Sequence, residues 1–204
     1  AILAHAAAVC QCLRGMSICS PSTRSLSPPR IFAAMAPAAA DPRLSEQLLT
    51  ASGRGLTELV LLLLQRRASA GHARADGWTP LMAACSSGRA PVVRLLLEHA
   101  ADPAATAQDG FTALMEACTN GHHEVVDLLL QGEPDLRQCS ADGTSPLMLA
   151  SLYGHAAVAE LLLERHAEPG QATQKGFTAL RAACGNGHRA VAAMLLERCR
   201  GAAS

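Results

Sequence analysis

The hydrophobic positions of this chain recur in one order about every 33 residues. Leucine-rich triplets at residues 95–97, 128–130, 161–163 and 194–196 keep this period, and each follows a pair of small aliphatic residues. Within a unit the apolar side chains are spaced three and four residues apart, which indicates one buried stripe on an amphipathic helix. The segments between the triplets and the next apolar stretch are rich in Ala, Asp, Pro and Gly, which favour extended turns.

A turn signature repeats in register with these stripes. Its first copy, at residues 76–81, reads Asp-Gly-Trp-Thr-Pro-Leu, and related copies follow at intervals of 33 residues. The hydroxyl oxygen in each copy can cap a helix N-terminus, and a proline after it fits the first helical position, where no N–H is needed. The four predicted capping residues are Thr79, Thr112, Ser145 and Thr178.

A second glycine is predicted to end the first helix of each unit in the left-handed conformation. These glycines are Gly88, Gly121, Gly154 and Gly187. In the second unit the pattern predicts a first helix that ends near Ser87 and a second helix from about Pro91 to His99. Neither helix could bury its apolar face alone, so we expect neighbouring units to stack around one continuous core.

The repeated unit resembles the ankyrin repeat, which reads roughly G-x-T-P-L-x-x-A-A-x-x-G-H-x-x-V-V-x-L-L-L. The resemblance implies an all-α solenoid of stacked helix-turn-helix units with short β-turn or hairpin fingers. It covers residues 41–204 as five units, at about 41–73, 74–106, 107–139, 140–172 and 173–204. The first unit is degenerate and carries polar residues expected of an N-terminal cap, namely Arg43, Glu46, Gln47 and Arg54.

Residues 1–40 differ in composition from the repeats, because they contain no acidic residue, three arginines and many serines and alanines. Three interpretations remain open: an organelle transit peptide, a secretory signal, or a disordered or untranslated tail with Met35 as the true start. We expect a cytoplasmic protein, with the nucleus as an alternative, and a plastid or mitochondrion if this segment is a transit peptide. The sequence begins at Ala1, so a fragment of a longer protein also remains an alternative.

Charge and cysteine usage narrow the function classes. The chain has 17 basic and 17 acidic residues, which argues against a nucleic-acid-binding surface. Cys85, Cys118 and Cys184 share one repeat position, where a small buried residue is expected, and they show no zinc-ligand spacing. The longest apolar run of the repeats, residues 59–64, is too short to span a bilayer. We therefore expect a monomer in a reducing compartment, without cofactor, metal, nucleic acid or membrane.

By resemblance, the finger tips and the inner face of the first helices form a concave surface that binds a partner protein. The residues of this sequence that fall on that surface are Trp78, Ser86, Ser87, Asp109, Phe111, Thr119, Asn120, Asp142, Leu152, Tyr153, Lys175, Phe177 and Asn186. Four of the five aromatic residues are among them. Aromatic side chains anchor interfaces, but one beside a turn can instead pack on the next turn and stiffen the array. Tyr153 and Trp78 are the preferred candidates for contact.

The remaining polar residues predict structure rather than catalysis. By resemblance, His122, His155 and His188 hydrogen-bond neighbouring backbone, and Met82, Met115, Met148 and Arg181 stand where the family often has another histidine. The methionines are expected to pack in the core. No nucleophile has a matched base, so the predicted function is a scaffold or adaptor that is not an enzyme. The alternative is the recognition part of a larger enzyme of kinase, ubiquitin ligase or acyltransferase type.

Overall fold

A computed structural model describes residues 41–201, which form five consecutive helix pairs. The alternatives for residues 1–40 concern a segment outside this range. The helices of the described range are α1 (Pro42–Arg54), α2 (Thr57–Gln65), α3 (Pro80–Ser86), α4 (Ala90–Glu98), α5 (Ala113–Asn120), α6 (His123–Leu130), α7 (Pro146–Leu152), α8 (Ala156–Glu164), α9 (Ala179–Gly185) and α10 (Arg189–Gly201). The bounds of α3 and α4 lie within one residue of those predicted from the sequence.

The pairs stack into two layers. The first helices pack one on the next and form one layer: α1, α3, α5, α7 and α9. The second helices form the layer behind them: α2, α4, α6, α8 and α10. Between the layers lies a continuous core of side chains such as Leu81, Met115, Leu147 and Leu162, each of which is almost fully buried. Burial of one such side chain stabilises the fold by about 1.5–3 kcal/mol. The all-α solenoid predicted from the repeats is confirmed.

Hydroxyl caps start the first helices of units two to five, as predicted. The Thr79 Oγ1 accepts a hydrogen bond from the Met82 N–H at 3.2 Å, and the Ser145 Oγ accepts one from the Met148 N–H at 3.4 Å. Both methionines lie in the core. Each cap satisfies a helix N–H that would otherwise lack a partner, so the signature fixes where these helices begin.

Glycines end the first helices, and in units three to five the histidine after the glycine joins its unit to the preceding one. Gly121 has φ 73°, and the following N–H, of His122, bonds to the Ala117 carbonyl at 3.0 Å, which is the Schellman arrangement. The His122 Nε2 also donates to the Ser86 carbonyl of the preceding unit at 3.0 Å. His155 and His188 make the equivalent bonds to Thr119 and Leu152, at 3.0 Å each. The predicted histidine role is confirmed.

The second helices end differently, on residues that are not glycine. Arg67, Ala100, Glu133 and His166 occupy one repeat position, and all four have positive φ, between 50° and 65°. None of these residues is a glycine, so the sequence did not predict a left-handed conformation at this position. Because left-handed backbone is strained for residues with a Cβ, these four helix ends carry a cost that the glycine-terminated first helices avoid.

One expectation about the ends of the array is wrong, and another holds only in part. Cys184 is exposed rather than buried, because among the described residues no further helix pair covers that side of α9. The first unit is polar along α1, as expected, but Leu59 and Leu62 of α2 and Leu56, just before α2, are exposed. These leucines are three residues apart and share one face of the helix, so the first unit is only half of a polar cap.

Candidate partner-binding face

Four short fingers project from the helix pairs. They comprise residues 74–78, 107–111, 140–144 and 173–177. In each finger the first N–H bonds to the last carbonyl, as in Arg74 to Trp78 at 3.0 Å, and a left-handed glycine forms the tip. Isolated β-bridges, such as the one between Thr106 and Thr112, extend two of the fingers toward the helices. The predicted hairpin fingers are confirmed.

Hydrogen bonds join the first three fingers into a row. The Gln108 N–H bonds to the Asp76 carbonyl at 2.9 Å, and the Ala141 N–H bonds to the Asp109 carbonyl at 2.9 Å. The equivalent pair at the third junction is the Gln174 N–H and the Asp142 carbonyl, and no backbone hydrogen bond joins them in this described stretch. The fourth finger is therefore less tightly attached to the row than the other three.

The fingers and the first helices share one surface, which we call the finger face. It consists of the four fingers and the solvent-exposed sides of α3, α5, α7 and α9. The pocket described below is lined by residues from two fingers and from α7 and α9, so the two kinds of element border the same space. The predicted partner-binding residues come from these fingers and from the C-terminal ends of these helices.

Tyr153 and Phe177 are the exposed aromatic residues of the finger face. Tyr153 follows the last residue of α7 and is 52% exposed, with its ring stacked beside His155 at 6.3 Å between centroids. Phe177 is 37% exposed, and the Arg181 guanidinium lies 5.4 Å from the centre of its ring. Both rings offer apolar area to a partner at low entropic cost, because each side chain has few rotatable bonds.

Trp78 and Phe111 lie at the same finger position as Phe177 but are half-buried. Both pack against the hydrophobic core. A ring in this position stiffens the junction between two units and still presents an edge to solvent. A role of Trp78 and Phe111 in partner contact therefore stays a prediction. Tyr153 is more exposed than either of them.

The polar candidates at the helix ends are partly engaged in local hydrogen bonds. The Asn120 Nδ2 donates to the Glu116 carbonyl at 2.9 Å and the Thr119 Oγ1 donates to the Met115 carbonyl at 2.9 Å. Asn186 makes the same kind of bond to Ala182 at 3.0 Å. The amide oxygens of the two asparagines are left to accept bonds from a partner. Ser86 and Ser87 are half-buried near the end of α3.

Two carboxyl groups of the finger face have shifted pKa values in opposite directions. Hydrogen bonds from the Ser140 and Thr144 side chains lower the pKa of Asp142, so this exposed finger residue stays anionic at neutral pH. Burial raises the pKa of Glu116, and the nearby Asp109 raises it further, against an opposing hydrogen bond from Ser86. Glu116 was not among the predicted site residues, although it lies on α5 within the electrostatic influence of Asp109 on the second finger.

A pocket brings four of the predicted residues together. Asp142, Leu152, Lys175 and Phe177 line a space of about 290 Å³ between the third and fourth fingers. The lining also includes Thr144, which the repeat places at the same finger position as Trp78, Phe111 and Phe177. Sequence reasoning missed the remaining lining residues, which are Met148, Thr173, Gln174 and Ala182. Two of the lining side chains could have indicated the pocket, because Thr144 and Ala182 are smaller than the residues at the equivalent positions of the third unit, Phe111 and Glu116. A larger space of about 580 Å³ lies elsewhere, along the loops after α6 and α8, and charged residues border much of it.

Metal-ligating side chains are not grouped among the described residues, and two of the cysteines are buried. Between residues 41 and 201 no three His, Cys, Asp or Glu side chains are grouped so that they could hold a metal ion. Cys85 and Cys118 are buried, and burial raises the pKa of both thiols, which disfavours the reactive thiolate. In the same range no helix has the length and apolar character needed to cross a membrane.

Stacked helix pairs joined by hairpin fingers define a repeat solenoid, in which each unit contacts only its neighbours. The family model described as "Ankyrin repeats (3 copies)" matches residues 48–138 and 130–203, which is most of the chain. The chain belongs to the ankyrin repeat family. Ankyrin repeats are generally protein–protein interaction modules and are typically non-catalytic. No curated protein matches the chain.

Proposed function

We propose that this protein is a scaffold or adaptor that binds a partner protein through the finger face. The observation that carries the proposal is the exposure of Tyr153 and Phe177 on the same face as a pocket, beside polar groups at the finger tips. Interfaces are typically anchored by a few aromatic residues surrounded by polar ones. The stacked units hold these side chains in place before binding, so little ordering entropy is lost when a partner arrives.

We infer further that the repeats recognise a partner without reacting with it. Cys85 and Cys118 are buried at one repeat position of the core, and burial raises the pKa of both thiols, which holds them in the protonated form. A catalytic group would occur once, whereas Cys85 and Cys118 recur at an interval of one repeat. Free thiols in this position also favour the cytoplasm as the location, since reducing compartments preserve them.

The test is affinity capture with a matched pair of double variants. The full chain, the variant Tyr153→Ala/Phe177→Ala and the control Leu59→Ala/Leu62→Ala are immobilised and exposed to the same native lysate. The control truncates two leucines of α2 that are 41% and 44% exposed, away from the fingers. Melting temperatures of all three proteins are measured alongside, so that unfolding is separated from lost contact.

A partner should be retained by the wild type and by the control and lost by the finger-face variant. With the purified partner, truncation of two anchors is expected to cost at least about 2 kcal/mol, or roughly 30-fold in Kd. A partner that binds all three proteins equally, or that is lost only with the α2 control, would refute the assignment of the finger face.

A further inference from the structure

The pocket between the third and fourth fingers has an apolar floor and a charged rim. Met148, Leu152 and Ala182 form the floor, and Asp142 and Lys175 stand on opposite fingers at its edge. Its volume is about 290 Å³. For comparison, a buried cavity of roughly 150 Å³ lined by aliphatic side chains accepts benzene. The pocket therefore has room for one aromatic side chain.

The pocket exists because one finger lacks the aromatic ring that the other fingers carry. Thr144 stands at the repeat position that holds Trp78, Phe111 and Phe177 in the other fingers. The rings of Trp78 and Phe111 are half-buried against the hydrophobic core. Thr144 has no ring to place there, so the corresponding space at the third junction stays open.

The facing helix adds to this space. Ala182 on α9 occupies the repeat position that is Glu116 on α5 and Leu149 on α7. Its methyl group fills less volume than either of those side chains. The backbone separation agrees, because a Cβ built on Gly110 would lie 2.8 Å from the next finger, whereas one built on Gly143 would lie 3.2 Å from it. Two small residues and a wider junction together leave the slot.

We propose that this slot receives an aromatic side chain of a partner protein, presented by an extended segment with a basic residue next to it. The partner's ring takes the place that the rings of Trp78 and Phe111 fill at the other junctions. The inference rests on the proposed function, and it names the chemistry that the finger face would select.

The charges of the finger face as a whole favour a basic residue beside the inserted ring. The finger tips carry Asp76, Asp109 and Asp142, and all three are exposed. The finger face carries three positive groups, and one of them, Arg74, lies 3.6 Å from Glu46 in an ion pair. Lys175 and Arg181 are left to oppose the three carboxylates. At the other end of the array Arg181 already faces the ring of Phe177 and Lys175 stands alone on the fourth finger. An arginine or lysine beside the inserted ring would reach the carboxylate of Asp142.

Matched tetrapeptides test the inference on the full chain, labelled with ¹⁵N for NMR titration. The probes are acetylated and amidated peptides of sequence Gly-Phe-Arg-Gly, Gly-Ala-Arg-Gly and Gly-Phe-Glu-Gly. The first should shift the backbone amides of Thr144, Phe177 and Ala182 and bind at least about tenfold more tightly than the alanine peptide, which corresponds to about 1.4 kcal/mol. The glutamate peptide should bind more weakly than the arginine peptide, because it lacks attraction to Asp142.

Two variants locate the binding. Thr144→Phe supplies the missing ring from the chain itself and should abolish the shifts caused by the phenylalanine–arginine peptide, with melting unchanged or raised. The control Leu62→Phe adds the same ring to the exposed face of α2 and should leave the titration unchanged. Equal binding of the phenylalanine and alanine peptides, tighter binding of the glutamate peptide, or binding that survives Thr144→Phe would overturn the inference.

The captured partner separates this inference from the proposed function. A partner that is lost with Tyr153→Ala/Phe177→Ala but binds Thr144→Phe normally leaves the finger face as the interface and overturns only the aromatic slot. A partner that ignores both changes overturns the slot and the proposed function together. A partner that is lost with Thr144→Phe, with its melting temperature maintained, supports both.

Discussion

Glycine at the four left-handed ends of the second helices is expected to stabilise the array. Arg67, Ala100, Glu133 and His166 have positive φ, and all four side chains are exposed. Their backbones follow the pattern of a glycine-ended helix. For example, the Ala100 N–H bonds to the Leu97 carbonyl at 3.1 Å. Replacement by glycine would keep these backbone bonds, remove a strained Cβ and sacrifice few side-chain contacts.

The magnitude is the difference between two backbone effects. A left-handed conformation costs a residue with a Cβ roughly 1–2 kcal/mol, and the greater freedom of glycine in the unfolded chain offsets about 0.4–1 kcal/mol of the gain. The net effect is about 0.5–1 kcal/mol at each site. Because the sites lie in separate repeats, the effects should add, to about 2–4 kcal/mol for the quadruple variant.

Thermal unfolding followed by circular dichroism is the assay. For a folded unit of this size, about 2–4 °C per kcal/mol gives a rise of roughly 4–16 °C in Tm. The control is Ala104→Gly, an exposed loop alanine without positive φ, which should lower Tm slightly. If the quadruple variant melts at or below the wild-type temperature, the strain argument is refuted.

Three further changes test other parts of the account. In denaturant unfolding, Gly121→Ala should destabilise the fold by about 2–4 kcal/mol, because φ is 73° and the added Cβ would meet the ring of His155. Gly187→Ala should cost only about 1–2 kcal/mol, because its φ of 74° is similar but the space around the added Cβ is open. The pKa of Glu116 is raised in the folded state, so its contribution to stability is present at low pH and lost as pH rises through the folded pKa. Glu116→Gln should therefore raise the free energy of unfolding at pH 7 by less than about 1 kcal/mol, seen as a higher Tm, and should have little effect at pH 4. An equal effect at both pH values would contradict this. Site-resolved thiol labelling should modify exposed Cys184 quickly and buried Cys118 only on unfolding, and early labelling of Cys118 would be inconsistent with the core.

Periodicity in the sequence was sufficient to predict most of the fold. The signals at the helix ends are local. Thr79 and its equivalents cap the start of one helix, and Gly88 and its equivalents end the same helix, so their prediction required no knowledge of the neighbouring units. The histidine bonds were also predictable by resemblance, because His122 and its equivalents follow the same glycine in successive repeats. These elements were confirmed, within one residue for α3 and α4.

The features that could not be predicted depend on what lies against each residue. Cys184 has the same repeat position as Cys85, but its burial depends on a stacked neighbour and not on its own unit. The positive φ of Ala100 has no signal in a sequence that lacks glycine there. The pocket arises because Thr144 on one finger faces Ala182 on the next helix. Each position alone looks like an ordinary small residue, and only the juxtaposition creates a space.

Hydrogen–deuterium exchange of the array, free and bound to its captured partner, tests the proposed interface most directly. Binding through the finger face predicts slower exchange in the bound state for residues 140–144 and 173–177 and for the C-terminal end of α7, with α2 and α4 unchanged. Protection of α2 and α4 while the fingers exchange at their free rate would contradict binding through the finger face.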